Sequence, residues 1–186
     1  VICGSQMETS LYQVENLIRE REGIPIDISR KRLIQNVDKE FERIVDVFQS
    51  NNTGAPSIIR VLSDDSTSEE EIGIERMREL WKLISGFISR ISQYLVSNGI
   101  IRALIIIGGD TSSKIIDALM IEGVEYLGEV LPGIPYGIMK GASLDHELAF
   151  ISKSGGFGSE DTLVKLFDFL TDNGKDWHLD EQYVFI

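Results

Sequence analysis

Four short stretches of this 186-residue chain hold small and hydroxyl residues where strand-like sequence gives way to helix-like sequence: Cys3 to Ser10, Ser63 to Ser68, Gly108 to Ser113 and Lys153 to Ser159. Two of them, GGDTSS and KSGGFGS, join paired glycines to Ser or Thr and open directly into a helix. Glycine lets the backbone approach a ligand closely, and a helix start offers unpaired N–H groups with a partial positive charge. The chemistry that combination suits is the holding of phosphate. Each stretch taken singly is more readily a tight strand-to-helix turn with an N-cap. Two on neighbouring strands point to a site.

Neither loop is a universal motif. GxxxxGK[ST] is absent, since Gly174-Lys175 is followed by Asp176, and GxGxxG fails because Asp161 stands where the third glycine belongs after Gly156 and Gly158. Lys153 ends an apolar run just before the second loop. It reads equally as a point charge for phosphate and as a strand-end lysine reaching for solvent. Asp64 and Asp65 suit Mg²⁺ or simply the start of a helix, and the second reading is preferred. His146, His178 and Cys3 carry no motif partners, and Cys3 reads as a small buried hydrophobe.

The elements that position these loops follow from periodicity. Helices are expected from about Ser10 to Glu22 with Gly23 as the stop, along a single stripe from Ile34 to Phe48, from Ser68 to Gly99, from about Ser112 to Glu122 with Met120 facing inward and Gly123 as the stop, and from about Glu160 to Asp172. Ser68 with Glu71 forms a capping box for the longest. Its Met77, Trp81, Ile84, Ile88, Ile91 and Leu95 have heptad spacing, but Leu80, Leu83, Phe87 and Tyr94 widen the apolar face. That width favours packing on a sheet over a coiled coil. Strands are expected at Ile24–Ile28, Ser57–Leu62, 101–107 and Leu148–Ser152, with short strands and turns from Val124 to Gly141. The result is one α/β domain, a mostly parallel sheet with helices on both faces. In such a sheet all strand-to-helix junctions share one rim, where ligands bind.

Composition sets the outer bounds. Eighteen Lys and Arg against 30 Asp and Glu give a net charge of −12, which disfavours nucleic acid and anionic membrane as partners. One cysteine and two histidines leave neither a disulfide framework nor a zinc cluster. No apolar run is long enough to span a bilayer, no signal peptide is evident, and a cytoplasmic location is expected. The start at Val1 reads as a piece cut from a longer polypeptide.

Read in order, CGSQMETSLYQ, GGDTSSKIIDAL, GEVLPGIPYG and SKSGGFGSED resemble the C-terminal nucleotide-binding domain of the four-carbon acid sugar kinases. The family pattern falls on Gly4-Ser5, Ser10 and Gln13; on Gly108, Gly109, Asp110, Thr111 and Ser112; on Glu129, Pro132, Gly133 and Pro135; and on Lys153, Ser154, Gly155, Gly156, Phe157, Gly158 and Asp161. Asp110 stands for the family's Glu, Ser113 for a Gly, Gly156 for an Asn and Ser10 for a Thr. The resemblance implies ATP and Mg²⁺ as cofactors, transfer to the terminal hydroxyl of a threonate- or erythronate-type acid, and a separate N-terminal domain that holds the acid and supplies the base. Residues 1–186 would then be the nucleotide-binding domain, with a homo-oligomer as a possible assembly. The residues it assigns to nucleotide are Ser5, Ser10, Gly108, Gly109, Asp110, Thr111, Ser112, Lys153, Ser154, Gly155, Gly156 and Gly158. The alternative is a non-catalytic module of the same fold that senses nucleotide or another phosphorylated metabolite.

Overall fold

The computed structural model describes residues 1–50, 54–62, 74–141, 144 and 146–173. Seven strands form one sheet: β1 (Ile2–Cys3), β2 (Ile24–Ser29), β3 (Ser57–Leu62), β4 (Ala103–Ile107), β5 (Gly123–Leu131), β6 (Ile134–Lys140) and β7 (Leu148–Lys153). Their order is β2-β3-β1-β4-β7-β6-β5; β2, β3, β1, β4 and β7 run parallel, and the β5–β6 hairpin adds antiparallel to β7. The central strand β4 is a continuous apolar run, ALIII, because both of its faces are covered, whereas the edge strand β2 alternates as IPIDIS.

The helices are α1 (Glu8–Arg21), α2 (Arg30–Gln35), α3 (Val37–Ser50), α4 (Ile74–Ser97), α5 (Gly109–Ala118) and α6 (Thr162–Asn173). On one face α2 to α5 bury Leu33, Ile44, Ile84, Ile91 and Ile115 against Ile28, Ile59, Leu104 and Ile106. On the other, α1 and α6 bury Val14, Leu17, Leu163 and Leu166 against Cys3, Ile105, Ile107 and Ile151. The wide face of α4 is therefore core, and Gly99 at φ 65° ends that helix with Ile100 N–H bonded to Leu95 O at 2.9 Å.

Three expectations are corrected. The stripe from Ile34 to Phe48 is two helices. Asn36 turns extended (φ −164°, ψ 102°) and its Oδ1 accepts from Lys39 N–H at 3.0 Å, capping α3, so Ile34 is exposed on α2. Helix α5 ends at Ala118 rather than near Glu122; Met120 sits exposed at φ 51°, and Gly123 opens β5. At the end of α1 the left-handed residue is Glu22 (φ 50°). Gly23 is needed for closeness instead, since a Cβ there would stand 2.7 Å from Ile58 Cδ1. The Ser68 capping box, the junction Ser63 to Ser68 with Asp64 and Asp65, and Gly174 lie outside the described residues.

Candidate functional site

The loops after β1, β4 and β7 leave adjacent parallel strands at their carboxyl ends. The first and third lead to α1 and α6 on one face, and the middle one leads to α5 on the other. Neighbouring loops that part toward opposite faces open a crevice between them, the usual ligand position in an open α/β sheet. Gly109 and Gly155 thus share one rim.

The loops meet through contacts only small residues allow. Gly4 N–H donates to Ile107 O at 3.1 Å, and Gly108 N–H to Lys153 O at 2.9 Å. A Cβ on Gly4 would run into Thr111 Oγ1, and one on Gly155 would run into Ser5 Oγ. Gly108, at φ 112°, leaves α5 without a side-chain cap, and no acceptor among the described residues takes the first-turn N–H groups of Gly109, Asp110 and Thr111.

The loop 154–160 is held by its carbonyls. Lys153 Nζ donates to Ser154 O at 2.7 Å and Gly155 O at 3.4 Å. Ser10 Oγ donates to Gly155 O at 2.5 Å, and Gln13 Nε2 to Phe157 O at 3.0 Å and Ser159 O at 2.8 Å. Asn16 Nδ2 donates to Glu160 O at 3.1 Å. With its oxygens turned inward, the loop presents the opposite ends of its peptide units outward. No acceptor among the described residues takes the N–H of Gly155, Gly156 or Gly158. Successive free N–H groups on a glycine turn make an anion nest.

Lys153 is 1% exposed and stands in register with Ile107 and Cys3, on the α1–α6 face of the sheet. It does not reach solvent as a snorkelling lysine would. No carboxylate among the described residues pairs with it, and burial pushes its pKa below the ordinary lysine range, against a smaller opposing pull from Cys3. Cys3 is buried, and burial pushes its thiol up, in keeping with a packing role. A positive charge thus sits beneath the glycine loop without a counter-charge among the described residues.

The other expected site residues divide by direction. Ser5 is half-buried at the crevice; its Oγ accepts from Met7 N–H at 3.2 Å and lies within hydrogen-bond distance of Ser10 Oγ, at 3.0 Å. Ser10 is fully buried, so its hydroxyl serves the loop from behind. Ser112 is also buried and bonds Ser152 Oγ at 3.1 Å, tying α5 to β7. Thr111 Oγ1 lies between Gly4 and Gly108. Asp110, Ser154, Gly156 and Gly158 are exposed on the rim. The Glu129 to Pro135 turn joins them: Glu129 Oε2 accepts from Gly133 N–H at 3.0 Å, and a Cβ on Gly133 would stand 3.3 Å from Phe157 Cζ. Behind the loop, a cleft of about 530 Å³ between α1 and α6 is lined by Arg19, Glu160, Asp161 and Lys165 among others. It borders the carbonyl side of the loop and is set apart from the amide nest.

Residue-type reasoning did not single out Gln13 and Asn16 as loop clamps. With Ser10 they stand at i, i+3 and i+6 on α1, a buried polar ridge on a helix whose apolar residues Val14 and Leu17 lie beside it. That spacing was the available signal. Gln13→Leu removes a fully buried amide and the donors it gives to the Phe157 and Ser159 carbonyls, so about 1–2 kcal/mol of stability is expected to go. In that variant the amides of Phe157 and Thr162, which donate to Ser154 O and Ser159 O, should exchange hydrogen faster than in wild type while those of β4 stay unchanged; unchanged exchange at both would refute the clamp.

Fold and site together define a parallel α/β domain with an amide-lined crevice at its switch point. Residues 1–163 match the family model of the nucleotide-binding C-terminal domain, and the chain belongs to that family. It is 25% identical over 177 residues to D-threonate kinase of Salmonella typhimurium, covering 88% of this chain and 40% of that enzyme. It is 25% identical over 170 residues to 3-oxo-tetronate kinase of Pectobacterium atrosepticum, covering 89% and 38%. The chain thus spans about two-fifths of those relatives. A solved structure of a domain of unknown function from Bordetella bronchiseptica, a domain-swapped dimer with bound citrate, shares the fold with a TM-score of 0.69 at 17% identity, covering 89% of this chain and 39% of that one. No helix among the described residues is long and apolar enough to cross a membrane.

Proposed function

We propose that this chain is the nucleotide-binding domain of an ATP-dependent kinase that phosphorylates the terminal hydroxyl of a four-carbon sugar acid. The observation that supports it most is the orientation of loop 154–160, with carbonyls anchored inward, N–H groups left outward and the Lys153 charge below. A polyphosphate supplies what each of those groups lacks. The N–H groups of Gly155, Gly156 and Gly158 and the first turn of α5 would receive phosphate oxygens, with the Ser5, Thr111 and Ser154 hydroxyls beside them. Ser10, Ser112, Gln13 and Asn16 would hold the loops in place without touching ligand.

Among the described residues no group of three His, Cys, Asp or Glu side chains could cage a metal. Magnesium would therefore enter on the oxygens of the polyphosphate, with Asp110 the rim carboxylate nearest the start of α5. When bound, Mg-ATP supplies the γ-phosphoryl group, and positioning with charge neutralisation is what the protein adds. The acid and the base would belong to a second, N-terminal domain. The names of the relatives, both kinases of four-carbon acids, support the substrate class. The swapped dimer of the structural neighbour supports a homo-oligomer, and a cytoplasmic setting fits kinase chemistry.

Calorimetric titration of the 186-residue chain with Mg-ATP and Mg-ADP tests the reading. Both should bind, and Gly155→Ala, whose methyl must displace Ser5, should weaken them about tenfold or more, a cost in line with overpacking. A folded chain that binds neither overturns it. Binding that never yields transfer after mixing with the N-terminal half of a related kinase would favour a sensing module instead.

A further inference from the structure

Phe157 carries a contradiction. Its backbone is fixed at both ends, with N–H donating to Ser154 O at 3.3 Å and O accepting from Gln13 Nε2. Its side chain nevertheless stays 46% exposed. The neighbours on either side, Gly156 and Gly158, have no side chains to cover it, and Gly158 at φ 90° is a position other residues rarely adopt. One edge of the ring rests over Gly133 of the hairpin turn, where a Cβ would crowd it at 3.3 Å. Met7, 56% exposed, lies over the other end of the glycine pair: a Cβ on Gly155 would stand 3.3 Å from Met7 Cγ, and one on Gly156 would stand 3.4 Å from Met7 Cε. Two large apolar side chains thus border the amide nest, one aromatic and one soft and adaptable.

We infer that Phe157 and Met7 form the platform that receives the nucleobase, with the Phe157 ring as its stacking face. This inference rests on the nucleotide reading and adds a subsite to it. A nucleotide carries its base one ribose away from the phosphate chain, so a base whose phosphates sit in the nest lands on the surface beside the nest. That surface has apolar flanks here. A planar base covers an exposed phenyl face, and stacking of this kind tolerates any base because every base has a π face.

The test uses the whole chain and two probes, Mg-ATP and Mg-tripolyphosphate, the second having no base. Wild type should bind ATP more tightly than tripolyphosphate. Phe157→Ala should weaken ATP about 5- to 100-fold, the range found for lost base stacking, and leave tripolyphosphate within about twofold. Phe157→Trp should keep ATP affinity and, relative to wild type carrying Trp81 and Trp177 alone, show added quenching by ATP and none by tripolyphosphate. Equal weakening of both probes in Phe157→Ala would mean that the ring only props the loop. Unchanged ATP binding would mean that something other than a base covers it. Either result overturns the platform while leaving the phosphate site standing. Failure of both probes to bind wild type would remove the nucleotide reading and the platform together.

Discussion

Lys153→Met is expected to weaken Mg-ATP binding by about 10- to 100-fold while leaving the unliganded protein about as stable as wild type, because relief of the buried charge offsets the hydrogen bonds lost at Ser154 O and Gly155 O. The loss of affinity is that of one charge-assisted interaction, about 1.5–3 kcal/mol, at about 1.4 kcal/mol per factor of ten. The relief in the free protein follows because an ammonium 1% exposed, with no partner carboxylate among the described residues, is costly to keep ionised. Methionine fills nearly the same volume without charge. The same imbalance predicts a pH signature. Because the folded pKa of Lys153 lies below its unfolded value of about 10.4, the unfolded chain binds more protons between the two. Stability therefore rises with pH across that window, and Lys153→Met lacks the rise. Polyphosphate restores the counter-charge, so in alkaline solution wild type should take up a proton on binding, read by calorimetry in buffers of different ionisation heat. A methionine variant that binds Mg-ATP as wild type does would sink the role assigned to this charge.

The second large effect has the same pattern from a different cause. Gly109 opens α5 in an ordinary helical conformation, and a Cβ built on it meets nothing within 4 Å. The fold does not require glycine there. Gly109→Ala should raise stability by about 0.4–1 kcal/mol, mainly through the unfolded chain, and the melting temperature by about 1–4 °C. Mg-ATP affinity should nevertheless fall about tenfold or more, since a methyl at the helix start stands where phosphate oxygens must approach the first-turn amides. Thermal unfolding and titration of one sample read both quantities. An alanine variant that is stabilised and binds normally would show that ligand never comes close to this end of α5.

Gly109 and Gly155 illustrate how a loop can be read from residues. Paired glycines before a helix announce a backbone that something must approach, and their types suffice for that. Which approach each serves is invisible in the sequence: at Gly155 it is Ser5 of another loop, whereas at Gly109 it is open space. Lys153 was ambiguous for a related reason. Its place at the end of β7 follows from apolar periodicity, but its burial depends on α1 and α6 covering that side of the sheet. Gln13 and Asn16 act across more than a hundred residues of chain on Phe157, Ser159 and Glu160. No local pattern could say which carbonyls they would meet.

Local chemistry decided the rest of the outline. The Ile- and Val-rich runs became the parallel strands, the three-four apolar spacing became α3, α4 and α6, and the Gly and Pro between Val124 and Gly141 forced a turn at Pro132-Gly133. Where prediction slipped, at Asn36 and Met120, a single side-chain cap or left-handed residue overrode a periodicity that would otherwise have continued. Apart from those two breaks, sequence alone located the strands, helices and glycine turns of the described residues to within a few positions, because those depend on side-chain periodicity and backbone freedom within a few residues. The tertiary structure alone decided that the turns after β1, β4 and β7 converge, that α1 draws the loop carbonyls inward, and that Lys153 lies beneath them without a partner carboxylate among the described residues, because each follows from which strands pair and which helix covers which face.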